Sequence, residues 1–316
     1  MSDYSGLLFI GDPHLAHRNI GMRRDDYPRV VLSKLAWSLN YARENRLLPC
    51  ILGDLFHTPR DNANWLIGEV CQLLVGREVL AIYGNHDIHE ASLQENDTFS
   101  VLVSAQLLRL VSESDFWSGQ ISGRKVIVGG SSFGQFWSDT FWPGVTSDVL
   151  VFWMTHHDLQ LGPEDRSMRR LEEISGIDVV VNGHLHFRRD DVRVRKTLWM
   201  NPGNMTRTAR SEREHAPAIL RIDIASGEYA KGAGFSSKYV DLPHSPADDV
   251  FFEQAAAVKA VTGSEAVINS LAELTGSRTM GEGLLNYLDS NLEQFEPEIA
   301  REVRELAEAV LQGKNT

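Results

Sequence analysis

Two hydrophobic rhythms run along this chain. Up to residue 195, short unbroken apolar runs alternate with stretches in which apolar residues recur every three or four positions. The runs at 7–10, 50–52, 79–83, 126–128, 149–154 and 179–181 read as buried strands, and the stretches at 28–44, 62–74 and 168–174 read as helices. Alternation of this kind predicts an α/β layered fold, with central β-sheets flanked by helices. After residue 195 only strands are expected, at 197–200, 218–224 and 238–242, with Gly227 at a turn. A mixed sheet, or a second sheet packed on the first, would accommodate them.

Beyond Pro246 the pattern turns helical, punctuated by Gly263, Gly276, Gly281, Gly283 and Pro297. Apolar stripes recur there: Leu284, Leu288, Leu292 and Phe295, then Ile299, Val303, Leu306 and Val310. The chain therefore divides into a domain over 1–245 and a small helical C-terminal region over 246–316. Short amphipathic helices are marginal alone, so those stripes are expected against the domain, against one another, or against a partner.

Charge sharpens this division. The net charge is −12, and residues 245–316 carry 13 acids against 5 bases, whereas the rest carries 30 against 26. The larger region is thus close to neutral. Acidity thus does not exclude a nucleic-acid substrate, but the chain alone is not a strong, salt-sensitive DNA binder. No run of 18 apolar residues occurs and the start lacks a basic-then-apolar leader, so no membrane span and a cytoplasmic location are expected. Cys50 and Cys71 sit among apolar neighbours and are expected as reduced thiols.

The strands end in polar motifs: Gly11-Asp12-Pro13-His14, Gly53-Asp54-Leu55-Phe56-His57, Gly84-Asn85-His86-Asp87, Thr155-His156-His157 and Gly183-His184-Leu185-His186. Residues just beyond strand carboxyl ends converge on one crevice in an α/β sheet. Two divalent ions about 3.5–4 Å apart need nitrogen and oxygen ligands and a shared carboxylate, which these motifs can supply. Each motif alone is weak. Five in this order, each at a strand end, are specific.

The set resembles the calcineurin-like metallophosphoesterases, whose pattern D-x-H, G-D, G-N-H-D, H and G-H-x-H is complete here. The resemblance implies that Asp12, His14 and His186 hold one metal, that Asn85, His156 and His184 hold the other, and that Asp54 bridges them. His86 would act as general acid toward the leaving group. The two ions are expected to be Mn²⁺, with Fe²⁺ or Zn²⁺ compatible with the same donors.

A narrower resemblance lies in Gly53-Asp54-Leu55-Phe56-His57-Thr58-Pro59-Arg60 and Asp12-Pro13-His14-Leu15, which are similar to the signatures of SbcD-type DNA-repair nucleases. It implies that His57 orients His86 or shares a proton with it, that DNA is the substrate, and that an SbcC-like ATPase subunit is the partner. A homodimer also fits. A small-molecule or nucleotide phosphodiesterase or phosphatase is the alternative, since the same seven ligands serve many esters in that superfamily. One departure is Asn201-Pro202-Gly203-Asn204, where those nucleases carry a glycine-serine turn. The chain is also short for both a DNA-capping domain and an ATPase-docking segment.

Basic residues near the motifs, chiefly Arg18, Arg60, Arg207 and Arg210, are candidates for gripping phosphate. Trp117, Trp137, Trp142 and Trp153 read as packing residues before they read as a stacking platform for bases. His157 is expected behind the site or facing substrate, His17 and His89 as loop residues.

Overall fold

The computed structural model describes residues 4–135, 149–162, 169–225 and 234–252, all within one compact unit, Met1–Ala257. The expected helices beyond 252, together with Trp137, Trp142 and Gly227, lie outside the described residues.

Two six-stranded mixed sheets form the centre. In the first, β1 (Gly6–Ile10), β2 (Leu47–Ile51), β3 (Leu80–Ala81) and β4 (Arg109–Leu110) run parallel, while β11 (Ala218–Ile224) pairs antiparallel with β1 and β12 (Phe235–Asp241) antiparallel with β11. Their order across the sheet is β12-β11-β1-β2-β3-β4. In the second, β6 (Arg124–Ser131), β7 (Leu150–Thr155), β8 (Val179–Asn182) and β10 (Thr197–Asn201) are parallel. The antiparallel strands β5 (Trp117–Ile121) and β9 (Arg189–Val194) form its edges, giving the order β5-β6-β7-β8-β10-β9.

The unbroken apolar runs follow from burial on both faces. Alternate residues Leu7, Phe9, Leu48 and Cys50 face Val128, Phe152, Met154 and Val181 between the sheets. Their neighbours Leu8, Ile10 and Ile51 pack outward against α1 (Tyr27–Glu44), α2 (Asn64–Leu74) and α3 (Thr98–Ser104). Helix α1 starts where Asp26 accepts from the Arg29 amide at 3.3 Å, with Pro28 in its first turn, and buries Val31, Leu35 and Leu39 at helical spacing. The outer face of the second sheet, with Val151, Trp153 and Trp199, is covered by Leu159, Leu161, Ile174 and Ile177.

The expected helix over 168–174 is not formed in its described part, 169–174. Its main chain is claimed by the sheet beside it. Arg169 bridges to Leu159, the Trp199 indole donates to the Glu172 carbonyl at 3.0 Å, and the Ile174 amide donates to Thr197 Oγ1 at 3.0 Å. Strands β4, β5 and β9 and the short helix α3 were not expected. Strand β9, Arg-Asp-Asp-Val-Arg-Val, is a charged edge strand with no apolar run to betray it. Both cysteines are free, Cys50 buried and Cys71 half-buried. Among the described residues no helix is long and apolar enough to cross a membrane.

Candidate metal centre

All five motifs leave the carboxyl ends of parallel strands, three from the first sheet (β1, β2, β3) and two from the second (β7, β8). The pairing of β1 with β2 continues past the strands: His14 N–H donates to the Asp54 carbonyl at 2.8 Å, and His57 N–H to the Leu15 carbonyl at 2.9 Å. Four side-chain-bearing residues there take left-handed backbone: Asp12 (φ 40°), His14 (φ 48°), Asp54 (φ 47°) and His184 (φ 69°). Such conformations cost energy and persist only where the surroundings over-determine them. Gly53 (φ 95°) and Gly84 permit the close approach, since an added Cβ would lie 2.5 Å from His156 Nδ1 and 2.1 Å from Asp54 Oδ1 respectively.

Asp87 ties two of these loops together. Its buried carboxylate accepts from the amides of Gly84 (2.9 Å), Leu55 (3.2 Å) and Phe56 (3.0 Å). Burial and the adjacent Asp54 push its pKa up to about 7 against the pull of those amides.

The orientation of the imidazoles is the most informative feature. His156 Nδ1 donates to the Leu52 carbonyl at 2.7 Å, His186 Nδ1 to Glu212 Oε1 at 2.5 Å, and His184 Nε2 to Asp158 Oδ1 at 3.0 Å. With one nitrogen of each ring so committed, the other turns a lone pair inward, as in metal-ligating histidines. Those inward nitrogens meet more acceptors. His156 Nε2 lies 3.4 Å from Asp54 Oδ2, His184 Nδ1 3.0 Å from Asn85 Oδ1, and His186 Nε2 3.0 Å from His14 Nε2. Asp12 Oδ2 and Asp54 Oδ2 are buried without a hydrogen-bond partner among the described residues. Acceptors aimed at acceptors call for positive charge between them. Protons can serve in part. Burial alone would lower His156 and His186, but Asp54 beside the first and Glu212 beside the second hold both up at about 9.

The carboxylates divide unequally. Burial would raise Asp54, yet His156 and His86 hold it well below the usual range, while burial dominates at Asp12 and raises it. One ligand atom each from Asp12, His14, Asp54 and His186 lies within 4.8 Å of the others. Asn85, His156 and His184 form an adjoining group, with Asn85 Oδ1 3.2 Å from His156 Nε2 and 3.0 Å from His184 Nδ1, and His156 brings it to Asp54 Oδ2 at 3.4 Å. The cluster fits a dinuclear divalent-metal site. The 201–204 turn lies beneath it, with the Met205 amide bonded to the Gly11 carbonyl at 2.9 Å and the Asn204 amide to the His186 carbonyl at 3.0 Å.

His86 is fixed at both ends: its amide donates to Asp54 Oδ1 at 2.8 Å and its Nδ1 to the main-chain carbonyl of His57 at 2.7 Å. The His57 ring stacks on it at 5.3 Å, with Nδ1 unpartnered, and burial and His86 hold its pKa down at about 3. The two residues are linked through a carbonyl, not through a proton shared between rings.

The candidate arginines have varied surroundings. Arg18 is exposed close enough to His57 to help lower its pKa. Arg60 pairs with Asp97 at 2.9 Å, Arg207 is buried and donates to the His215 and Ser245 carbonyls, and Arg210 donates to the Phe252 carbonyl at 2.5 Å. Trp117 and Trp153 are buried, bonded to Glu78 and Ser131. The His157 amide donates to Asn182 Oδ1 behind the centre. Sequence reasoning missed Asp158 and Glu212. Asp158, two residues past His156, was findable, but Glu212 lies 26 residues past His186 with no local signal.

No curated protein matches the chain in sequence. Among solved structures, a hypothetical protein from Thermus thermophilus superposes with a TM-score of 0.43 at 13% identity, covering 75% of this chain and 99% of that one. A predicted phosphoesterase from Streptococcus pneumoniae gives 0.31 at 12%, covering 75% and 97%, and Chaetomium thermophilum Vps29 gives 0.29 at 11%, covering 76% and 96%. The decisive comparison is with sequence families. The family of calcineurin-like phosphoesterases matches residues 6–188, more than half of the chain, and this protein belongs to that family.

Proposed function

We propose that this chain is a two-metal phosphodiesterase that cleaves DNA, working as SbcD-type nucleases do. The observation carrying the phosphodiesterase reading is the set of three imidazoles, His156, His186 and His184, whose outer nitrogens are held by Leu52, Glu212 and Asp158 and whose inner nitrogens face Asp54, His14 and Asn85 respectively. Two divalent ions bound there would supply Lewis acidity toward the phosphoryl oxygens and would lower the pKa of water. Asp12, His14 and His186 would hold one ion, Asn85, His156 and His184 the other, with Asp54 shared. The chain's own contribution is to fix these donors on strained, doubly anchored loops, so that little reorganisation accompanies reaction. His86, with Nδ1 committed to the His57 carbonyl, presents Nε2 to the leaving oxygen. It gives up a proton there only when the ring is doubly protonated.

DNA as substrate rests on the Gly53-to-Arg60 signature, with His57 stacked behind His86 and Arg18 at hand to neutralise phosphate. A smaller phosphodiester is the second reading, favoured by the internal partners of Arg60, Arg207 and Arg210. Incubation with labelled single- and double-stranded DNA and Mn²⁺, beside an aryl phosphodiester, separates the two. Turnover of the aryl ester with both DNAs intact would defeat the nuclease reading. An ATPase subunit docking on residues 246–316 is part of the proposal. Equal DNA turnover and equal ATPase co-purification after deletion of that region would remove it.

A further inference from the structure

Away from the candidate centre, a cleft of about 270 Å³ lies between α1 and the segments around 207, 217 and 243–250. Its walls carry three cationic side chains, Arg23, Lys34 and Arg207, and one carboxylate, Asp25. All three cations are buried, with 5%, 5% and 7% of their surface exposed. Buried charges are ordinarily matched one to one, because an unmatched charge in a low-dielectric wall is costly.

Matching here is incomplete. Asp25 is consumed by Arg23, which grips it through Nε at 2.8 Å and Nη2 at 2.5 Å. Among the described residues Lys34 Nζ donates only to the Met205 carbonyl, at 3.2 Å, so two of its three donors have no partner there. Arg207 donates through Nε to the His215 carbonyl at 2.8 Å and through Nη1 to the Ser245 carbonyl at 2.9 Å, which leaves Nη2 uncommitted among the described residues. The acids felt at Arg207 are Glu212, already engaged by His186, and Glu214, which is exposed and paired with Arg213. Repulsion from Arg23 and Arg207 adds to burial in pulling Lys34 down to about 7. Ser33 lines the same cleft, its hydroxyl donating to the Val30 carbonyl at 2.8 Å.

We propose that this cleft is a second, non-catalytic binding site for a phosphate-type oxyanion, held by Lys34 Nζ and the free edge of Arg207. A tetrahedral oxyanion has the charge to balance the two unmatched cations and enough acceptor oxygens for their spare donors. The site requires neither metal nor turnover, so it stands apart from the proposed nuclease function. It is also wired to the centre. Arg207 holds His215, whose Nε2 donates to the Asn204 carbonyl at 2.7 Å; Asn204 donates to Glu212 at 3.1 Å; and Glu212 holds His186. An oxyanion bound in the cleft would thus lean on the carboxylate that orients a metal-facing histidine.

The test uses the full chain, stripped of metal with a chelator so that phosphate cannot bind through an ion. Binding of inorganic phosphate and of a deoxynucleoside 5′-monophosphate is followed by calorimetry and by the melting temperature. Wild type should bind at least one of them. Lys34→Met should weaken that binding at least about tenfold, the loss of one charge-assisted contact, while His156→Ala leaves it intact. Tighter binding of the nucleotide would identify a strand end as the occupant, and equal binding a free phosphate. Should Lys34→Met not fold, Ser33→Glu, at an exposed position of α1, places a competing carboxylate at the mouth and should weaken binding likewise. Absence of binding, or binding lost in His156→Ala and kept in the cleft variants, overturns the proposal.

Discussion

The main-chain carbonyl of His57 accepts a hydrogen bond from Nδ1 of His86 at 2.7 Å, which fixes the tautomer of the histidine whose amide is bonded to Asp54 and makes its Nε2 the ring nitrogen left to face a substrate. His86→Ala should therefore keep its metals but lose about 10²–10⁴-fold in turnover of alkoxide-leaving esters. Nitrophenyl esters, whose leaving group needs no proton, should lose much less. Parallel kinetics on the two substrate types check this, and equal losses would argue against the acid role.

Asp54→Ala removes the carboxylate common to both donor sets. Metal content by elemental analysis should fall below two ions per chain, because neither set retains its shared oxygen. Two ions still bound would mean that Asp54 is not the bridge.

Glu212→Ala frees His186 to rotate and to change tautomer, without removing a donor atom from the centre. Loss of such a supporting carboxylate typically weakens metal affinity by about 10–100-fold. A chelator competition titration measures it. Glu212→Gln, which can still accept from Nδ1, should recover part of the affinity.

Lys34 offers a stability prediction whose sign can be worked out. Its ordinary pKa is 10.5, and burial together with Arg23 and Arg207 brings it down to about 7 in the fold. Between those values the unfolded chain holds a proton that the folded chain has released, so stability rises with pH across that window. The slope is at most about 1.4 kcal/mol per pH unit from this one group. Below the window the buried charge weighs fully against the fold. Lys34→Met should thus raise the urea midpoint near pH 7 in phosphate-free buffer, and its advantage should shrink toward pH 10.

Much of this was legible in the chain itself, for a physical reason. Strands buried on both faces must be continuous apolar runs, and β1, β2, β7 and β8 announce themselves in that way. The motif positions followed, because polar residues directly after such runs can only sit at strand ends. What escaped was whatever depends on tertiary partners. Edge strand β9 needs only one covered face, residues 169–174 lose their helical pattern to side chains of β10, and the three carbonyl and carboxylate partners behind the imidazoles come from unrelated parts of the sequence. The arginines show the same limit. Sequence can place Arg207 near a motif, but only packing shows its guanidinium turned toward His215 and Ser245.

The donors of the centre are drawn from both halves of the sandwich. Asp12, His14, Asp54 and Asn85 follow strands of one sheet, and His156, His184 and His186 follow strands of the other. Apart from the apolar side chains between them, the sheets meet here through polar groups that repel as readily as they attract. Ions seated among those groups would work as a rivet through the two plates, resisting their sliding or parting at the one end where the filling is not greasy. Metal loading should then show mechanically as well as chemically: hydrogen exchange would slow at the carboxyl ends of β1, β2, β7 and β8 together, across both sheets, while the opposite ends of the same strands remain unchanged.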